Sequence, residues 1–334
     1  MSDLLDSPVL VLTDLDDAGA PAPGALELLT TASHLTGSGV LALALADVGP
    51  QARAALAGAG ATRLLVADVG QRAALAGVTG DALVAAARAA GVGLVLVPGD
   101  YRGREAAAHA AVLLGSAVVA DAADLEVADG VLRGSRLVLS GSWTTTLAIR
   151  PHPGQPPVVA VRPGGAQAAS GPLEPVVGAR SLDAEPLEPA VGAAGAVSLV
   201  SRERAAVAAG PDLGEARTVV VGGRGVDGDF ALVRSLAEVL DAAVGATRVA
   251  CDEGWIERSA QIGQTGVSVA PHLYVGLGVS GAVHHTSGIQ GAETIVAVVD
   301  DSEAPILEMA DYGVVGDVTE VVPQLVDELV RLRG

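Results

Sequence analysis

Lysine is absent from this 334-residue chain, and all 20 of its basic side chains are arginine. Set against 39 acidic residues, they leave a net charge of −19. Phosphate backbones are bound by clustered basic side chains, so nucleic acid is not an expected partner. An anionic membrane surface is disfavoured on the same ground. One cysteine, Cys251, leaves no internal disulfide and no cysteine-built metal centre to consider, and no metal is expected. Aromatic residues make up only 2% of the chain, so the core must come from Ala, Val and Leu. The longest apolar stretch, near residues 106–120, contains His109 and falls short of the roughly 18 residues a membrane span needs. The amino terminus, MSDLLDSPVLVL, lacks a basic region before its apolar run, so a cytoplasmic protein is expected.

What is present is an alternation of strand and helix patterns. Apolar runs at PVLVLTDL (8–15), GVLALALAD (39–47), TRLLVAD (62–68) and GLVLVPGD (93–100) are separated by helix patterns at 23–35, 50–58 and 80–90, and another follows near 103–115. Continuous apolar strands separated by helices predict a parallel sheet covered on both faces. From about 117 to 163 the texture shifts to LEVADGVLRGSRLVLSGSWTTTLAIRP and PVVAVRP, with glycine turns, and predicts an antiparallel extension of the same domain.

Residues 164–215 are rich in Pro, Gly, Ala and Glu and read as a linker with one strand-like insert, AVSLVSRE (196–203). The predicted division is therefore an amino-terminal α/β domain over 1–205, linker included, and a second α/β domain over 206–334. The second begins with the strand ARTVVVGGRG (216–225). An amphipathic helix over 229–245 follows, stopped by Gly245. Both domains read as Rossmann-like, the second as a doubly wound sheet.

Three glycine-bearing strand ends stand out in the second domain: GGRG (222–225), GQTG (263–266) and GLGVSG (276–281). Glycine lets backbone approach a phosphate, and ligands of such sheets bind at the carboxyl ends of strands. Gly276-x-Gly278-x-x-Gly281 matches the dinucleotide fingerprint, with Asp300 and Asp301 about 20 residues on, where a ribose-binding acid belongs. The same letters surround Ser280 as a nucleophile elbow would. A hydrolase triad needs a histidine after the acid, and none follows His285. A nicotinamide dehydrogenase leaves GQTG and the Thr247–Arg248 pair without a role.

The run from GGRG through GATR, IGQTG, VAPHLYVGLGVSGAVHH, IVAVVDDSEAPI and ADYGVVGD resembles the carboxyl-terminal domain of the electron transfer flavoprotein α subunit. The resemblance covers about 110 residues in matching order and spacing, and the preceding residues agree more weakly. It implies a heterodimer with a β subunit, one FAD held mostly by the second domain, and an AMP in the β subunit. It also implies electrons accepted from flavin dehydrogenases and passed to a quinone oxidoreductase or another acceptor. The chain would be a carrier rather than a catalyst of substrate chemistry.

Site residues follow from that resemblance. Arg248 resembles the arginine over the isoalloxazine ring, and Thr265 the hydroxyl that meets flavin N5, with Gln264 beside it. His285 resembles the histidine near the pyrimidine edge. Ser280, Gly281 and Ala282 would offer backbone donors to the pyrophosphate, while Arg224 and Asp317 match ADP-side contacts. Thr247, Ile262, Gly263, Val283, His284, Val299 and Val318 complete the implied cofactor set. Each has a plainer reading: Arg248 a solvated charge, Thr265 a turn cap, Cys251 core within an apolar strand. Adjacent His284 and His285 point about 100° apart on a helix and make a poor metal pair.

Departures from the family pattern are specific. Val299 and Asp300 stand where Asn and Lys are usual, His284 replaces a Gln, and Thr247 replaces a Ser. Two alternatives stay open at this point: the α half of an electron-bifurcating complex, and a flavin-less nucleotide-binding scaffold.

Overall fold

A computed structural model describes residues 4–16, 18–138, 143–150, 152–162, 182–188, 192–201, 210–214 and 216–333. The chain divides into two compact units: Met1–Val138 with Thr144–Arg202, and Glu203–Gly334 with Leu139–Trp143.

In the first unit the strands are β1 (Val9–Leu12), β2 (Val40–Ala44), β3 (Arg63–Val66), β4 (Leu94–Pro98), β5 (Val118–Ala122), β6 (Asp124–Ala128), β7 (Val131–Val138), β8 (Trp143–Ile149), β9 (Val158–Val161) and β10 (Ala184–Pro186). Its helices are α1 (Pro23–Leu35), α2 (Pro50–Gly58), α3 (Ala76–Ala90) and α4 (Tyr101–Leu114). The main sheet runs β10-β3-β2-β1-β4-β9-β5, and its pairings are all parallel. Strand side chains alternate between faces, and the core divides accordingly. Val9 and Val11 pack on one side with Leu28 and Leu56 of α1 and α2, while Leu10 and Leu12 pack on the other with Leu83 and Ala107 of α3 and α4. Burying each Val or Leu removes apolar surface worth roughly 1.5–3 kcal/mol, which is how a core nearly without aromatics suffices.

The antiparallel extension is narrower than the texture of residues 117–163 predicts. Antiparallel pairing joins β6 to β7 within a separate three-stranded sheet, β6-β7-β8. β5 and β9 instead join the main parallel sheet, because Val158, Val159, Ala160 and Val161 are buried on both faces.

Much of the stretch read as a linker, at 164–181, 189–191, 202–209 and 215, lies outside the described residues. Of the described part, 182–188 and 192–201 belong to the first unit, whereas 210–214 belong to the second, where Leu213 packs against the core. β10 adds to the edge at β3, and the Arg63 guanidinium makes a paired contact with Glu185 at 2.9 and 2.7 Å. Buried Asp81 accepts from Gly192 N at 3.1 Å and pairs with His109 Nε2 at 2.9 Å. The strand-like insert is a correction: residues 193–196 form a 3-10 turn and 197–201 form no strand. A short β-prone run becomes a strand only where tertiary context supplies a pairing edge.

The second unit holds β11 (Thr218–Gly222), β12 (Ala243–Ala246), β13 (Leu273–Leu277), β14 (Thr294–Val299) and β15 (Tyr312–Val315), all parallel, in the order β12-β11-β13-β14-β15. Its helices are α5 (Phe230–Leu240), α6 (Arg248–Asp252), α7 (Val283–Thr286), α8 (Ile306–Met309) and α9 (Val318–Arg333). Asp229 caps α5 by accepting from Ala231 N and Leu232 N. The helix stops at Asp241, whose φ of 52° is left-handed, so Gly245 is not its terminator but a residue of β12. Cys251 belongs to α6, which Arg248 opens, rather than to a strand, although it is buried as expected. A five-residue helix is too short to show a helical period in sequence.

Candidate functional site

Because all five strands of the second sheet run parallel, their carboxyl ends share one edge. The loops leaving that edge carry Arg224 after β11, Thr247 and Arg248 after β12, Ser280 after β13, Val299 at the end of β14 and Asp317 after β15. Four inter-strand steps separate β12 from β15, about 19 Å at a spacing of about 4.8 Å. The chain reverses its direction of progress between β11 and β13, which is where doubly wound sheets open a ligand crevice. There the backbones touch. A Cβ on Gly278, whose φ is +61°, would lie 2.5 Å from Gly225 Cα, so only glycine permits this approach.

A cavity of about 300 Å³ opens at the β12 end of this edge. Of the residues implied by sequence, Arg224, Thr247, Arg248, Ile262, Gly263, Gln264, Thr265, Ser280, Ala282, His284 and His285 line it. Gly281, Val283, Val299, Asp317 and Val318 do not. Val299 and Val318 pack into the hydrophobic core. Asp317 accepts from Thr319 N and Thr319 Oγ1 at 2.8 and 2.7 Å, and those bonds hold its carboxyl below the usual range. Val249, Gln261 and Val279 line the cavity without having been singled out. Gln261 directly precedes the IGQTG run, but only its burial marks it.

The GQTG turn is locked onto α7. Gly263 adopts φ +140°, and a Cβ there would come 2.5 Å from the His284 carbonyl. Gln264 N donates to that carbonyl at 2.7 Å, and His284 Nδ1 meets Gln264 Oε1 at 2.7 Å.

The two histidines have different roles. His285 is only 5% exposed. Its Nδ1–H donates to the Ile262 carbonyl at 3.0 Å, and Nε2 accepts from the Tyr274 hydroxyl at 2.8 Å. A carbonyl can only accept, so the neutral tautomer is fixed. Burial lowers the His285 pKa to about 4 and raises that of the fully buried Tyr274 hydroxyl. His284, by contrast, is exposed at the cavity.

Arg248 and Thr247 both line the cavity. Arg248 Nε donates to Asp252 Oδ2 at 3.2 Å, one turn away on α6, with 65% of its side chain exposed. Thr247 Oγ1 is buried and has no hydrogen-bond partner, the kind of orphan that a ligand group satisfies. Ser280 lines the cavity, and among the described residues no hydrogen bond joins it to a histidine: both His285 nitrogens and His284 Nδ1 meet other partners. Among the described residues, no group of three His, Cys, Asp or Glu gathers as metal ligands, and no helix is long and apolar enough to cross a membrane.

Comparison with known proteins matches the two units to two family models. The electron transfer flavoprotein domain matches residues 9–206, and the electron transfer flavoprotein FAD-binding domain matches residues 212–290. The chain is 40% identical over 258 residues to the electron transfer flavoprotein subunit alpha of Mycobacterium leprae, covering 76% of each. It is 34% identical over 246 residues to protein FixB of Clostridium saccharobutylicum, covering 70% of this chain and 69% of that one. Identity rises to 50% over 126 residues with the electron transfer flavoprotein subunit alpha of Bacillus subtilis, covering 37% and 39%.

Proposed function

The chain belongs to the electron transfer flavoprotein α-subunit family, and from that premise we propose that FAD lies along the carboxyl edge of its second sheet, ring end at β12 and ADP end toward β15. FAD supplies reversible one- and two-electron chemistry when bound. The donor set fits such a ligand: a cavity bordered by Arg248, Thr265 and the unpartnered Thr247 hydroxyl suits a ring rich in acceptors that gains negative charge on reduction. That convergence is the observation that carries the proposal.

Within it, Arg248 supplies positive charge beside the ring, and Thr265 a hydroxyl. Gly263, Gln264, Thr265 and Ala282 border the cavity beside the ring position. Arg224 faces the pyrophosphate from the β11 loop, with the backbone of Ser280 to Ala282 on the other side. Val299, Asp317 and Val318 mark the adenosine end. There Val299 offers no hydrogen bond and Asp300 adds a negative charge, so hold on that end comes chiefly from Arg224 and backbone. His285 contributes a neutral, immobile wall rather than a charge.

The active form is a heterodimer with a β subunit, which completes the site and holds an AMP. Electrons arrive from flavin dehydrogenases and leave to a quinone oxidoreductase or similar acceptor, in the cytoplasm. Support for the partner and for the electron path comes from family membership. The test is co-expression with a β-type partner, followed by absorbance and FAD titration of the purified complex. A yellow heterodimer with one FAD per α chain, lost on Arg248→Ala with Thr265→Val, is the expected result. A colourless heterodimer that FAD does not reconstitute would leave the nucleotide-binding scaffold as the better reading.

A further inference from the structure

Behind the cavity wall runs a chain of side chains whose donor and acceptor roles are fixed by chemistry. Asp252 is an acceptor, and it takes Arg248 Nε at 3.2 Å on one oxygen and Arg258 Nη2 at 2.6 Å on the other. Arg258 Nη1 reaches Gln261 Oε1 at 3.1 Å. A guanidinium has five donors and no acceptor, so the amide oxygen of Gln261 must face it. The amide nitrogen then faces the other way, and Gln261 Nε2 donates to Thr265 Oγ1 at 2.9 Å. Gln261 is 2% exposed, so water does not reverse this orientation. Having accepted from Gln261, the Thr265 hydroxyl must send its own proton elsewhere. Among the described residues no acceptor for it is found, and Thr265 borders the cavity.

We propose that Gln261, oriented by Arg258, is a positioning residue that commits the Thr265 hydroxyl to donate into the cavity, so that the ligand atom facing Thr265 is selected for being a hydrogen-bond acceptor. The identity of that atom rests on the flavin reading, in which it is the oxidised ring's N5. The selectivity itself rests on the polarity of the chain from Asp252 to Thr265. The same carboxylate holds Arg248, so one exposed Asp orders both the cation and the hydroxyl.

The experiment compares FAD with 5-deaza-FAD, in which a C–H replaces N5 and the acceptor is lost, on apo-heterodimer reconstituted with each. A neutral hydrogen bond predicts a preference for FAD of about three- to tenfold in the unaltered protein. In Gln261→Glu the carboxylate keeps its pairing with Arg258 but now accepts from Thr265, turning the hydroxyl's lone pair toward the ligand. The preference then falls to about one. Arg258→Met leaves the amide free to flip and reduces the preference partway, which carries the test should Gln261→Glu not assemble. In a Thr265→Val background, Gln261→Glu changes the ratio no further. A merely structural role for Gln261 would weaken both cofactors equally, and an unchanged ratio in Gln261→Glu overturns the inference. Equal binding of both cofactors by the unaltered protein also overturns it. Failure to bind either cofactor overturns instead the flavin reading beneath it.

Discussion

Acid should weaken the second unit through one histidine. His285 is 5% exposed, donates Nδ1–H to Ile262 O and accepts the Tyr274 hydroxyl on Nε2, so the folded protein has no place for a second ring proton. Its pKa falls from an ordinary 6.5 to about 4, chiefly through burial. Between those values the unfolded chain takes a proton that the folded chain refuses. Stability therefore declines as pH drops through that window, and the term has gone by pH 7. Integrating the two titration curves gives a loss of about 2 kcal/mol between pH 7 and pH 5. The assay is urea unfolding followed by Trp255, which packs against the second unit's core, in a Trp143→Phe background so that one indole reports. His285→Asn is less stable at pH 7 because Tyr274 loses its acceptor, but its loss from pH 7 to pH 5 should be smaller by about 2 kcal/mol. Equal pH slopes for the two proteins would refute the reasoning, since the buried histidine would then not be what titrates.

Other expectations follow from the same geometry. Arg248→Ala removes the charge nearest the proposed ring and should lower the flavin's first reduction potential by on the order of 100 mV, read by spectroelectrochemical titration; no shift would detach Arg248 from the ring. Gly278→Ala drives a Cβ into Gly225 at 2.5 Å in left-handed backbone. It should cost about 1–3 kcal/mol in unfolding free energy, and a loss within error would mean the crossing relaxes freely. Asp300→Lys places a cation at the exposed end of β14 and should tighten FAD by roughly threefold at low salt, the gain fading as ionic strength rises. A gain that ignores salt would point away from charge.

The sequence alone determined the class of fold and the neighbourhood of the site. Continuous apolar strands such as VLVL and LVLV could only be buried on both faces, and the order of GGRG, GATR, IGQTG and GLGVSG carried the family. Local patterns serve well where one segment makes its own case. They fail where the decision belongs to a partner segment. β9 joined the parallel sheet because β4 offered an edge and β5 then added to β9, whereas residues 197–201 of AVSLVSRE form no strand. Gly245 entered β12 because Asp241 had already turned the helix. His284 and His285 are neighbours of one residue type, yet tertiary packing makes one a buried neutral wall beside Tyr274 and leaves the other open at the cavity. Gln261 gave no signal at all, because its significance lies in the directions of two hydrogen bonds. Those directions exist only once α6, the turn at Arg258 and the GQTG loop are folded against one another.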